Sequence, residues 1–321
     1  MTLVRPWGWA SCYRTCDERS QPVWASPHEA WHALGMSDRF EPARRLVADA
    51  VRSRVVGPNA DNRAQQLFEA PGERWFGEDR PIRIIHADSC MFIGGLRALL
   101  FQSLHPLAMA GVASHSDFKA DPWGRLQRTA DFLAATTFGP ESESQRAIDL
   151  VKRVHVRVVG TADDGRPYSA NDPHLLKWVH IAEVDSFLAA HKKFGEVELS
   201  DEQRDGYVLD MSRIASALGV IDPPRSVAEL KEEISSYRNE LRTSDAALDA
   251  AKYLLITPPL PVLVRPAYQL LGVAAVSLLP IWARLPLRLP WLPLSERAIV
   301  RPAANTLTKT LRWALAPDLP Y

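Results

Sequence analysis

The sequence predicts an all-α fold, and three observations carry that prediction. Apolar residues recur at three- and four-residue steps through Phe92, Leu96, Leu99, Leu100, Leu104 and Leu107, the period of one helical face. The stretch from Asn171 to Phe194 is apolar nearly all round, as a central buried helix requires. No stretch that alternates like a strand has an evident partner strand. The 321 residues, 46% of them hydrophobic, suffice for one large core or two domains.

In chain order, Ser26 is placed to cap a helix with Pro27 at its first position, ending near Gly35. A second helix follows over Glu41 to Ser53, and residues 69–82 read as loop from their Gly and Pro punctuation. The helical pattern from Ile84 to Ala110 must break or kink at His105-Pro106, because proline lacks the N–H that a helix interior needs. Asp121-Pro122 opens the next helix, whose spacing gathers Arg125, Thr129, Phe132 and Thr136 on one face. Residues 141–159 fit a helical stripe (Ala147, Val151, Val154, Val158), although Val154 to Val158 also alternates, and helix is the preferred reading. Asp164-Gly165 marks a turn. Helices are expected at 171–194, 200–218 and 226–255, with Glu183 and Asp185 pairing buried basic groups. After Thr257, where eleven of the 25 prolines fall, the chain should form short Pro-punctuated helices.

Composition narrows the function. Lys plus Arg and Asp plus Glu are both 38, so the net charge is zero, which argues against a nucleic-acid binder. Three cysteines are too few for a disulfide framework, and Cys12-x-x-x-Cys16 has no second pair at zinc spacing, so reduced thiols of a cytoplasmic protein are expected. The N-terminus has no sustained apolar run of the secretory kind. Residues 266–283 are uncharged, but Gln269 and Pro280 weaken a membrane span there. Packing in the core or on a membrane surface is the expectation for that segment. Dinucleotide-binding, P-loop and nucleophile-elbow motifs are missing, which disfavours nucleotide binding and α/β-hydrolase chemistry.

Cations on oily helices stand out. Arg97 and His105 lie in one apolar segment, and Arg125, Arg128 and Thr129 in the next. A buried charge needs a partner, so an anion, a metal or a cofactor edge would account for them. His28-Glu29-Ala30-Trp31-His32 matches the zinc-peptidase pattern, without the downstream ligand pattern that would extend it. His155 borders an apolar stripe, where either a core imidazole or a ligand is expected. His105, His174 and His180 carry similar or lower weight, while His86, His115 and His191 look loop-like or surface-facing.

The strings LRALLFQSLHPLAMAGVASHSDF, DPWGRLQRTADFLAATTFG, VKRVHVRVVGTADDGRPYSANDPHLLKWVHIAEVDSFL and YRNELRTSDAA together resemble the MpaB-type oxygenase family, which includes the latex-clearing rubber oxygenases. The resemblance covers roughly residues 75–255. It implies a globin-like all-α core at 75–255, a helical extension at 1–74 and a Pro-punctuated apolar extension at 256–321 packed on that core. It implies haem b, dioxygen and an apolar unsaturated lipid or isoprenoid-like substrate. By the same resemblance His155 is the axial iron ligand, and His105 and His180 are further cofactor-binding candidates. The family's arginine-x-x-lysine-threonine motif reads here Arg125-Leu126-Gln127-Arg128-Thr129. Arg125, Arg128 and Thr129 would then line the distal side, pairing propionates or donating hydrogen bonds. Arginine offers no lone pair to iron, so Arg128 in place of lysine implies a different distal ligation. The expectation is a cytoplasmic or membrane-associated haem oxygenase, with a smaller lipid rather than rubber as substrate. A non-enzymatic haem or lipid-binding protein is the alternative, and a zinc hydrolase using His28, Glu29 and His32 a more remote one.

Overall fold

The computed structural model describes residues 37–55, 57, 60–116 and 121–315. The helix expected after Ser26, the His28-Glu29-x-x-His32 match, Cys12 and Cys16 lie outside the described residues.

The architecture is all-α. Helices α1 (Ser37–Val55), α2 (Ala60–Ala64), α3 (Pro81–Ala87), α4 (Met91–Gln102), α5 (Pro106–His115), α6 (Pro122–Phe138) and α7 (Glu141–His155) come first. A two-stranded antiparallel hairpin follows, β1 (Val159–Thr161) and β2 (Pro167–Ser169), with Gly160 opposite Tyr168. Then come α8 (Pro173–Phe194), α9 (Asp201–Leu218), α10 (Val227–Ser236), α11 (Asp245–Leu255), α12 (Arg265–Leu278), α13 (Ile281–Arg284), α14 (Pro293–Ser295) and α15 (Arg301–Leu315).

Side-chain caps set the starts of five helices among the described residues, α6, α8, α9, α10 and α11. The Asp121 carboxylate accepts from the Gly124 N–H with Pro122 in the first turn, and Asp172 does the same for His174 before Pro173. Ser200 and Gln203 form a reciprocal capping box at α9, which ends on Gly219 in the left-handed region at φ 109°. The helix expected from Ile84 to Ala110 is three helices, broken at Asp88–Cys90 and again at Ser103–His105. The helix expected over 226–255 is likewise two, because Ser244 caps a fresh start and the Arg242 N–H is tied to the Leu104 carbonyl at 2.9 Å. Residues 141–155 are helical as expected, while Val159 does find a partner strand in β2.

Helix α8 is the central element, packed along α4. The two approach closely at Gly94, where an added Cβ would sit 2.8 Å from the Phe187 ring and 3.3 Å from the Ala190 Cβ. Around this pair lie α3, α9, α10 and α12, and they bury Ile82, Ile85, Phe101, Trp178, Tyr207 and Leu279. Arg97, which the sequence left in need of a partner, is satisfied inside the protein. It donates to the Asp185 carboxylate at 2.6 Å, to Ser186 Oγ at 2.6 Å and to the Leu278 carbonyl at 3.1 Å. Asp185 thus pairs a buried cation as expected. Glu183 does not, having no ion pair among the described residues, and burial pushes its carboxyl up to about 7.

Residues 266–283 put one face in the core. Gly272, Ala274, Ala275 and Val276 are buried against α4, and Leu279-Pro280 ends the helix. No single helix among the described residues is long and apolar enough to cross a membrane. Helices α3 and α4 together reach that length and composition, but they bend by 95° and their apolar residues are largely buried in the core.

Candidate cofactor site at the open end of a helical hairpin

Helices α6 and α7 form an antiparallel hairpin closed by Gly139-Pro140, and Ser144 Oγ donates to the Ala135 carbonyl at 3.0 Å across the turn. Arg125 stands thirteen residues before the end of α6 and His155 fourteen after the start of α7. At 1.5 Å per residue each lies about 20 Å from the turn, so both arrive at the hairpin's open end. Arg125 and His155 therefore both stand on the open-end side of the hairpin.

The surroundings follow from the next elements. Arg125 donates to Ser116 Oγ at the end of α5, and it has no carboxylate partner among the described residues. Burial, together with the neighbouring Arg128 charge, lowers its pKa below the ordinary guanidinium value. His155, at the last turn of α7, is half-buried with no hydrogen-bond partner among the described residues, and burial alone pushes its pKa down. It is therefore a neutral imidazole with a lone pair available. The chain turns after it, with the Val158 N–H bonded to the His155 carbonyl at 3.0 Å. Tyr168 on β2 then packs on His115 with ring centroids 6.0 Å apart. A Cβ at Gly111 of α5 would touch Val158 at 3.5 Å and the Tyr168 ring at 3.6 Å, so α5 and the β-hairpin close one wall. Beside the last turn of α7 a shallow cleft of about 340 Å³ is lined by Lys152, Arg153, Val156, Asn171, Leu218 and Gly219.

The other sequence candidates scatter. Arg128 is exposed and paired with Asp121 at 3.1 Å, and the exposed Thr129 hydroxyl donates back to the Arg125 carbonyl at 3.0 Å. His180 is buried in mid-α8, its Nε2 without a partner among the described residues, and burial lowers its pKa to about 4. His105 is buried at the corner before α5, where it meets His174 and Glu240 instead of His155.

Sequence reasoning missed a polar cluster at the opposite, closed end of the hairpin. His86 was expected on a loop or the surface, yet it lies inside α3, bonded to Thr137 Oγ1 at 2.7 Å and Tyr207 Oη at 3.2 Å. Burial holds its pKa down at about 3. Thr137 and Arg125 are separated by about 18 Å of helix, which keeps this cluster apart from the open end. His191, also expected at the surface, is buried in α8. Both fall on apolar helical stripes (His86 beside Ile82 and Ile85, His191 beside Phe187 and Phe194), and that spacing was the available signal.

Two curated relatives, both uncharacterized proteins, one of Mycobacterium bovis and one of Mycobacterium tuberculosis, are each 32% identical to this chain over 110 residues. The matched segment is 33% of this chain and 43% of each relative. No solved structure matches. Residues 82–313, from α3 to α15, match the family model described as the ER-bound oxygenase mpaB/B'/Rubber oxygenase catalytic domain. That span takes in the whole hairpin, α8 and the helices packed on it, and the chain belongs to this oxygenase family.

Proposed function

We propose that this oxygenase is haem b-dependent, with His155 as the protein ligand to iron, and that it acts on an apolar unsaturated lipid or isoprenoid-like substrate. The carrying observation is the pairing at the open end of the α6–α7 hairpin. There a neutral, half-buried imidazole and a half-buried guanidinium stand at the same end of the hairpin, the one without a hydrogen-bond partner and the other without a carboxylate among the described residues. An iron ligand and an anion are the two groups that haem offers to such a pair, the anion being a propionate. The donor set therefore fits the group.

Bound haem supplies the redox chemistry that activates dioxygen. The chain's own residues do the rest. His155 gives its lone pair, and the loss of its water shell on burial keeps it unprotonated in the neutral range. Arg125, steadied by Ser116 Oγ, holds a carboxylate in a poorly hydrated place where that ion pair is strong. Arg128 and Thr129, exposed on the same helix, act at the rim, where they meet entering substrate or a second propionate. Val158, Tyr168 and α5 exclude water from that wall. His180 is a secondary cofactor contact in this reading.

The family description supports oxygen chemistry on a small molecule. An apolar substrate is supported by Ile281, Leu285, Trp291, Leu292 and Leu294, large apolar side chains that are all exposed beyond α12. They offer a peripheral contact with a lipid surface, centred just beyond the 266–283 segment.

Haem-reconstituted protein is expected to show a Soret band and to give oxygen-dependent products from an unsaturated lipid panel. His155→Ala should lose or shift that band with unfolding unchanged. An unaltered spectrum in that variant would remove His155 as ligand.

A further inference from the structure

We propose that His105, His174 and Glu240 form a second site, for a divalent transition-metal ion of the zinc class, with the two imidazole Nε2 atoms and one carboxylate oxygen as ligands. The three come from distant segments: the corner before α5, the first turn of α8, and the residue after the 3-10 turn Tyr237–Asn239. Their ligand atoms lie within 4.8 Å of one another.

His105 is 1% exposed, and neither ring nitrogen has a hydrogen-bond partner among the described residues. A neutral imidazole carries one donor and one acceptor, and leaving such groups buried and unmet is costly. Its Nε2 is 3.5 Å from Glu240 Oε2, too far for a good hydrogen bond. Two ligand atoms held at ~2.1 Å around a tetrahedral ion stand about 3.4 Å apart, close to this spacing.

The tautomer of His174 points the same way. Tyr237 Oη has one proton, and it donates that proton to the His174 carbonyl at 2.8 Å. The 3.1 Å contact between Tyr237 Oη and His174 Nδ1 must then run from Nδ1–H to the phenol oxygen. That leaves a lone pair on Nε2 facing the Glu240 carboxylate at 2.8 Å. Two lone pairs do not face each other at that distance without a cation between them, either a second proton on His174 or a metal. Only the metal also takes up the lone pair of His105 Nε2. Tyr237 is then the outer partner that orients a ligating imidazole, as such ligands usually have. The ring of His105 is held by Trp178 and Tyr237, with centroids at 6.3 and 6.4 Å. The nearby Arg166 guanidinium is engaged by Asp164 at 2.7 Å.

Two nitrogens and one carboxylate oxygen favour zinc-class ions over magnesium or calcium. Three protein ligands leave a fourth position for water, and the side chains of His174 and Glu240 are about half and two-fifths exposed, so the ion has an entry path. The bound ion would clamp the starts of α5 and α8 to the end of α10. The ten residues of α5 put this site about 15 Å from the haem cradle.

The test is titration of metal-free full-length protein with zinc alone, followed by calorimetry and thermal unfolding. A His28→Ala/His32→Ala background removes the N-terminal motif from the count. One equivalent is expected with micromolar or tighter affinity, and the unfolding midpoint should rise by ~3 °C or more in excess zinc. Glu240→Gln and His174→Ala, at partly exposed positions that tolerate change, should each weaken binding by at least ~10-fold, and Tyr237→Phe by about 10-fold. Zinc absorption-edge spectra should show two imidazoles. Absence of a stoichiometric ion in the background variant, or equal affinity in Glu240→Gln, would overturn the site. The Soret band of haem-loaded protein should be unchanged in Glu240→Gln, so failure here and failure of the haem assignment are read separately.

Discussion

Arg97 shows how a single residue misleads and then explains itself. Read along the chain it is a cation on an oily helix; in the fold it is held by Asp185, Ser186 and a carbonyl of α12. Removing it leaves Asp185, which is 28% exposed, without its partner. Arg97→Ala is therefore expected to cost about 3 kcal/mol in urea unfolding, the lower end for a broken buried pair because water reaches Asp185. Replacing both members by apolar residues of similar size should recover most of that loss. The same limit on sequence reading applies at the sites. Arg125 and His155 were singled out by the strings that carry the family resemblance. His174 and Glu240 were not legible as partners of His105, because 66 residues separate the first two and nothing local records their meeting.

At the scale of elements, caps and prolines made the starts of α6, α8 and α9 readable, since a cap acts within four residues of itself. The breaks at Asp88–Cys90 and at Glu240–Ser244 were not readable from the apolar period, which continues across them. They exist because the chain must turn to keep both halves on the core, and long-range contacts such as Arg312 to Asp88 at 2.7 Å hold the corner. Packing of α4 on α8 gives a sharp comparison of neighbouring glycines. Gly94→Val would drive its side chain into Phe187, and a loss of about 2–3 kcal/mol is expected. Gly95 has no atom within 4 Å of an added Cβ, and Gly95→Ala should stabilise by roughly 0.5–1 kcal/mol through helix propensity. Equal effects of the two changes in thermal unfolding would contradict this packing.

For the molecule as a whole, buried titratable groups make stability depend on pH. Burial lowers His86 to about 3 and His180 to about 4 from 6.5. Between those values and 6.5 the unfolded chain binds protons that the native state does not, so stability is full above 6.5 and falls on acidification. Each group contributes about 1.4 kcal/mol per pH unit in its window. Glu183, raised from 4.5 to about 7, works in the opposite sense. It is protonated in the native state through that window and loses stability as pH rises through it. The net expectation is a fall of about 1.4 kcal/mol per unit from pH 6.5 to 4.5, steeper just below. His105, His155 and His191, also lowered by burial, add to it. Urea midpoints at pH 7, 6 and 5 measure this, and Glu183→Gln should steepen the slope. A flat profile would mean that these imidazoles are hydrated in the native state.

Sequence by itself determined the helical class, the starts of α6 and α8 and the family resemblance, and a motif singled out Arg125 and His155. Those features are local: they depend on periodicity, on a cap a few residues away, or on a contiguous motif. Only the tertiary structure decided that Arg97 is paired internally, that His86 turns inward to Thr137 and Tyr207, that His191 is buried, and that His105 meets His174 and Glu240. Each of these depends on which helix faces is buried against which, and burial sets both the charge state of a side chain and the partners within its reach.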